Sequence, residues 1–250
     1  MGFTVTPNLP KQKVSKIIAG QGIIPYFNEL KKLNVEVIIC DENPLISSSL
    51  RYHADLTVNY LGNGNFLLDK SQKSLSEKLK LLGYNVEFIN KSVKDGYPYD
   101  SALNATLTAD TVICNYSITA DELKDFINKN NYNIVSTNQG YSKCSVCAVT
   151  NNTFITDDES IYKELKKQKY DVLYVKKGSI ALDGFNYGFI GGCCGKLSDS
   201  IIAFCGDISR HSDYDSIKAF VKNNNIELLS LGKNIPVDIG SIIPIYEIDF

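Results

Sequence analysis

A chain of 250 residues with 44% hydrophobic and 22% charged side chains carries ample apolar material for a packed core. Lys and Arg total 26 against 28 Asp and Glu, and the resulting net charge of −2 is interspersed along the chain, which excludes the clustered basic footprint of a nucleic-acid binder. The longest apolar runs, VEVIIC and SIIPIYEI, are too short to span a bilayer, and MGFTVTPNLPKQK has no apolar signal core, so the expectation is a cytoplasmic protein that does not enter a membrane.

In chain order, an amphipathic helix runs into a β-rich string five times: LKKLNVEVIIC (30–40), LKLLGYNVEFI (79–89), FINKNNYNIVS (126–136), LKKQKYDVLYV (165–175) and FVKNNNIELLSL (220–231). After each comes a polar connection and a second β-capable string: HADLTV (53–58), ALNATL (102–107), CSVCAV (144–149), GCCGKL (192–197) and DIGSII (238–243). The first four lead through LGNGN, TAD, TNN and SDS into a third strand, with Gly and Asn suited to the positive φ of tight hairpins. Thr119 and Glu122 have the spacing of a capping box. The last repeat lacks a third strand, and KIIAGQG (16–22) is placed to supply it. The prediction is an α/β fold in a single domain over 1–250: a five-bladed ββαβ α/β-propeller, closed into a ring by the N-terminal strand, with helices outside and central strands lining a narrow channel.

Aligning the second strings as strands puts His53, Ala102, Cys144, Gly192 and Asp238 on one face, and Asp55, Asn104, Val146, Cys194 and Gly240 two residues on. His53 and Asp55 form a pair able to share a proton near neutrality. Cys193 and Cys194 point to opposite faces of a strand, and this register turns Cys194 to the channel as a nucleophile. The glycines around them would let the backbone approach a ligand closely. Seven cysteines, an odd count without an export signal, read as free thiols. Cys144 and Cys147, on a strand, would face opposite sides. Asp207, His211 and Asp213 follow a third strand at the rim, where Asp213 has the place of a helix cap.

Five ββαβ units closing a propeller resemble the pentein fold of guanidino-group-modifying enzymes, and RYHADLTV, QGYSKCSVCAV, GFIGGCCGK, FCGDISRHSDY and VDIGSIIPIYE look like a bacterial branch of it. The resemblance implies a His with nearby carboxylates, and a nucleophilic Cys four residues before a Pro in the last repeat. Here Pro244 is present, but Gly240 stands at that position and no cysteine follows Cys205.

The expectation is a cysteine-dependent hydrolase or deiminase-like enzyme acting on a small cationic guanidino or amidine compound in the central channel. Cys194, His53 and Asp55 would be catalytic, and Asn104, Asp238, Asp207, His211 and Ser241 would bind the ligand, without metal or cofactor. A non-catalytic binding protein on the same scaffold is the alternative that Gly240 favours. A zinc site of Cys144, Cys194 and His53 is the other.

Overall fold

Each hairpin is set by its turn. In the computed structural model, which describes residues 1–248, Asn63 and Gly64 take φ of 51° and 76° between the antiparallel strands Val58–Gly62 and Asn65–Leu68. Two consecutive positive φ values give the turn whose twist matches the strands it joins, as LGNGN predicts.

The strands form five separate small sheets, and none closes on itself. Four share one plan: an antiparallel hairpin, a helix, and a strand parallel to the hairpin's second arm. In chain order the second sheet has Val58–Gly62, Asn65–Leu68 and Asn85–Phe88. The third has Thr106–Leu107, Thr111–Cys114 and Asn133–Ser136. The fourth has Val146–Thr150, Thr153–Thr156 and Asp171–Tyr174. The fifth has Cys194–Lys196, Ile201–Phe204 and Glu227–Ser230. The first sheet draws on both ends of the chain: Ile243–Ile248 lies antiparallel to Lys13–Ala19, which runs parallel to Glu36–Ile39, and Gly2–Phe3 adds an edge. The pairing of KIIAGQG with the last repeat is therefore present, displaced toward the N-terminus.

The connecting helices are nine residues long and bury an i, i+4 pair each: Leu75 and Leu79, Leu123 and Ile127, Ile161 and Leu165, Ile217 and Val221. Helices this short are marginal alone and hold through packing of that stripe. The core is divided into five apolar clusters, each shared by two neighbouring sheets. The middle strands explain this division, because alternate side chains point to opposite faces. Ile17 joins one cluster and Ile18 the next; Leu67 and Leu68, Val112 and Ile113, Phe154 and Ile155, and Ile202 and Ala203 divide likewise. A middle strand buried on both faces is apolar throughout rather than alternating.

Side-chain and backbone bonds tie neighbours together. Asn59 Nδ2 donates to the carbonyls of Leu103 and Ala105, Thr106 Oγ1 to Ser142, and Lys196 Nζ to Val149. Val14 N donates to Leu197, and Asp55 N to Gly240.

Three local expectations are corrected. The strings at 53–58 and 144–149 are not strands throughout: Ala54–Thr57 and Ser142–Ser145 are single helical turns, and the strands begin at Val58 and Val146. Residues 238–242 also stay outside the ladder, with Gly240 and Ser241 at φ of 76° and 71°. The Thr119–Glu122 capping box does not form; Ala120 is the N-cap, Thr119 bonds back to Asn115, and Glu122 accepts from Asn90 N. Asp213 precedes the helix Tyr214–Lys222 without capping it, its carboxylate accepting from Lys176 N instead. Among the described residues no helix is long and apolar enough to cross a membrane.

Candidate active site

The helical turns decide which side chains meet. A strand alternates side chains by half a turn per residue, whereas a helical turn rotates them by roughly 100°. His53, at the N-cap of one such turn, and Cys144, third in the other, therefore reach a common cavity of about 320 Å³ that Asp238 also lines. Cys194 does not reach it. It begins the strand Cys194–Lys196 and faces a separate, water-sized space beside Cys147. The sequence-based choice of Cys194 as the thiol beside His53 is thus corrected to Cys144, because the strand register behind that choice does not extend back over 142–145. The grouping of Cys144, Cys194 and His53 for zinc fails for the same reason. Among the described residues no three His, Cys, Asp or Glu side chains gather as metal ligands.

Asn104 positions the thiol. Its Nδ2 donates to the Asp55 carbonyl (3.0 Å) and to Cys144 Sγ (3.1 Å), and its Oδ1 accepts from the backbone N–H groups of Lys143 (2.7 Å) and Cys144 (3.2 Å). All four hydrogen-bonding positions of the amide are used within the protein, so Asn104 is a positioning residue and not the ligand contact expected. Ser241, also expected to bind ligand, is fully buried behind Asp55.

Cys144 Sγ lies 3.1 Å from Asp55 Oδ2, and Ser241 Oγ lies 2.6 Å from the same oxygen and 3.0 Å from the Gly191 carbonyl. Ser241 Oγ donates to the Asp55 carboxyl and also faces the Gly191 carbonyl. Burial raises the Asp55 pKa above the usual carboxylate range, against the pull of His53 and the Ser241 hydroxyl. Its Oδ1 is buried without a partner, which costs less on a neutral acid than on a carboxylate.

Asp238 is poised differently. Its Oδ2 accepts from Phe189 N (2.9 Å) and its Oδ1 from Gly240 N (3.1 Å). Burial pushes its pKa up to about 6, and those two donors limit the rise, so it is largely ionised at neutral pH. Each oxygen keeps a lone pair for a ligand. A Cβ on Gly192 would land on this carboxylate, so that glycine admits Asp238 rather than a ligand. His53 Nδ1 stands 3.8 Å from Asp238 Oδ1. Burial lowers the proton affinity of His53 while Asp55 opposes this, leaving a neutral imidazole. Burial also keeps the Cys144 thiol well above its usual range, reinforced by Asp55 and Asp238.

Leu50, Leu56 and Leu182 form one wall of the cavity. The other is aromatic: Tyr141 stacks on Phe189 at 6.3 Å, Phe189 meets Tyr187 edge-on at 6.1 Å, and Phe185 stands half-exposed at the mouth. Phe185, Tyr187 and Phe189 come from an irregular loop with no sequence periodicity, and Tyr141 comes from the segment before Ser142–Ser145. Asp207 and His211 lie elsewhere. Asp207 caps the short helix Ile208–Arg210 through Ser209 N, and the buried His211 accepts from Asp213 N through Nδ1. The expectation that they bind ligand in this cavity is corrected.

The model of DUF6873, a family of unknown function, matches residues 18–243. No curated protein matches. Among solved structures, an amidinotransferase from Microseira wollei in the saxitoxin biosynthetic pathway superposes with a TM-score of 0.58 at 8% identity, covering 92% of both chains. A dimethylarginine dimethylaminohydrolase mutant from Pseudomonas aeruginosa, complexed with citrulline, gives 0.55 at 10% identity over 88% of this chain and 92% of that one. The agmatine deiminase of C. jejuni gives 0.53 at 11% identity over 91% of both. At such identities the likeness is one of fold, and the fold is the pentein fold.

Proposed function

We propose that this chain, which belongs to the DUF6873 family of unknown function, is a cysteine hydrolase of amidine- or guanidine-bearing small molecules, with Cys144 as nucleophile. We take residues 1–250 as one ring of five blades. The five core clusters, shared in succession by sheets one and two through to five and one, support that arrangement. The observation that carries the activity is the cavity floor: a thiol, a neutral imidazole and a largely ionised carboxylate with two free lone pairs, beneath an apolar and aromatic wall. Asp238 would hold the two N–H groups of an amidinium side by side. The wall suits an alkyl or aryl body on the cation.

Chemistry follows from the charges. The resting thiol is neutral because two carboxyl groups and burial disfavour thiolate. A bound cation offsets the charge of Asp238 and brings the thiol down. His53 takes the Cys144 proton as sulfur bonds to the amidine carbon. The tetrahedral adduct then expels one nitrogen, which leaves as an amine carrying the proton from His53. Water, deprotonated by His53, adds to the S-linked carbon; the C–S bond breaks and the thiol regains its proton. A guanidine and water give a urea and an amine, and an amidine gives an amide and an amine. Asp55 fixes Sγ from behind by accepting from the thiol.

The test is release of ammonia from a panel of alkyl- and arylguanidines, with calorimetric binding of benzamidine and its neutral isostere benzamide. The native protein is expected to release ammonia with a rate rising through about pH 6 as Asp238 ionises. Cys144→Ser should lose turnover by about 10⁴-fold or more while still binding benzamidine. Retained turnover in Cys144→Ser would refute the nucleophile. Binding without turnover in the native protein would make this a receptor for the same cations.

A further inference from the structure

We infer that Cys147 and Cys194 form an oxidisable dithiol, a modification site separate from the His53 cavity. Cys147 lies in the strand Val146–Thr150 and Cys194 opens the strand Cys194–Lys196, and the two strands pack side by side across neighbouring sheets. Both thiols line one water-sized space together with Lys143 and Lys196, where Cys194 Sγ also lies 3.9 Å from the Gly191 carbonyl. The nearby Cys193 is turned away, with its Sγ 3.2 Å from the Ile190 carbonyl.

Two buried lysines are out of place around an inert apolar thiol pair. Lys143 and Lys196 are each less than a tenth exposed. Lys196 Nζ bonds the carbonyls of Val149 and Asp199. Burying ammonium groups is costly unless negative charge or hydrogen bonds compensate, and a thiolate on Cys147 supplies that charge. The neighbouring Cys194 thiol lowers the Cys147 thiol against the effect of burial, and both lysines add to the lowering. Cys194 is correspondingly held protonated. A thiolate beside a thiol is the arrangement that oxidises to a disulfide.

With a peroxide as oxidant, the Cys147 thiolate attacks one oxygen. An S–O bond forms, the O–O bond breaks, and the departing hydroxide takes a proton from Lys196. Burial brings the pKa of that lysine down to about 8. The neutral amine then takes the Cys194 proton, and the Cys194 thiolate displaces hydroxide from the sulfenic sulfur, which solvent protonates to water. The two thiols lose two electrons, and hydrogen peroxide becomes two waters.

The experiment is hydrogen peroxide treatment of the full chain, followed by intact mass and disulfide peptide mapping. A loss of two hydrogens per chain, reversed by dithiothreitol and mapped to a Cys147–Cys194 peptide, is expected. Cys147→Ser should abolish that cross-link, and Cys193→Ser and Cys144→Ser should retain it. A cross-link between other cysteines, oxygen adducts without a cross-link, or an unchanged mass would each overturn the proposal. The native peptide map decides the matter even where a variant fails to fold.

Discussion

Gly240 has φ of 76°, and a Cβ there would come within 2.5 Å of both Cα and Cβ of His53. The glycine at the position where the pentein resemblance places a cysteine is thus what lets His53 stand over Asp238. Gly240→Ala would strain the backbone and displace the imidazole together. The expected outcome is a loss of about 1–3 kcal/mol in stability, visible in denaturant melts, with weaker benzamidine binding by calorimetry. An alanine variant as stable as the native protein would contradict this reading. At this scale the sequence disclosed His53, Asp55 and Asp238, because a His-x-Asp string and a lone acidic residue among small ones stand out. It did not disclose Cys144 as the thiol. Seven cysteines are chemically alike in sequence, and only backbone geometry separates one that lines a cavity from those in the core.

The elements explain that gap. HADLT and SKCS take single helical turns whose backbone bonds go to neighbouring loops, as in Asp55 N to the Gly240 carbonyl, and no local propensity marks four residues as a turn rather than a strand start. Hairpins and helices were legible because Asn-Gly pairs and i, i+4 apolar stripes are local signals. Asp157, just after the strand Thr153–Thr156, carries a prediction of its own. Its Oδ2 accepts from Ile190 N, its Oδ1 is buried without a partner, and burial pushes its pKa up to about 8. The unfolded chain releases this proton near pH 4 and the folded chain only near pH 8. Between those values the folded state binds more protons, so this group's contribution to stability falls as pH rises. Asp157→Asn should therefore match the native protein near pH 4 and gain on the order of 5 kcal/mol by pH 8. Thermal melts across that range check it; a constant offset at every pH would show that charge is not the cause.

For the whole molecule, repetition was the strongest signal in the sequence, and it led to four sheets of one plan and a fifth shared by the two ends of the chain. What repetition cannot convey is where the copies differ. The aromatic wall of the cavity arises mostly in the irregular connection between the strand Asp171–Tyr174 and the strand Cys194–Lys196, which supplies Phe185, Tyr187 and Phe189. It is this departure that gives the cavity an apolar wall above an acidic floor. The central claim, that Cys144 is the thiol facing a cation site built on Asp238, is tested most directly by covalent labelling with chloroacetamidine against its neutral isostere chloroacetamide, with the labelled cysteine mapped by mass spectrometry. The account predicts labelling confined to Cys144 and faster with the amidine by about tenfold or more, an advantage lost in Asp238→Asn. Equal rates for the two reagents, or labelling at Cys194 in place of Cys144, would contradict it.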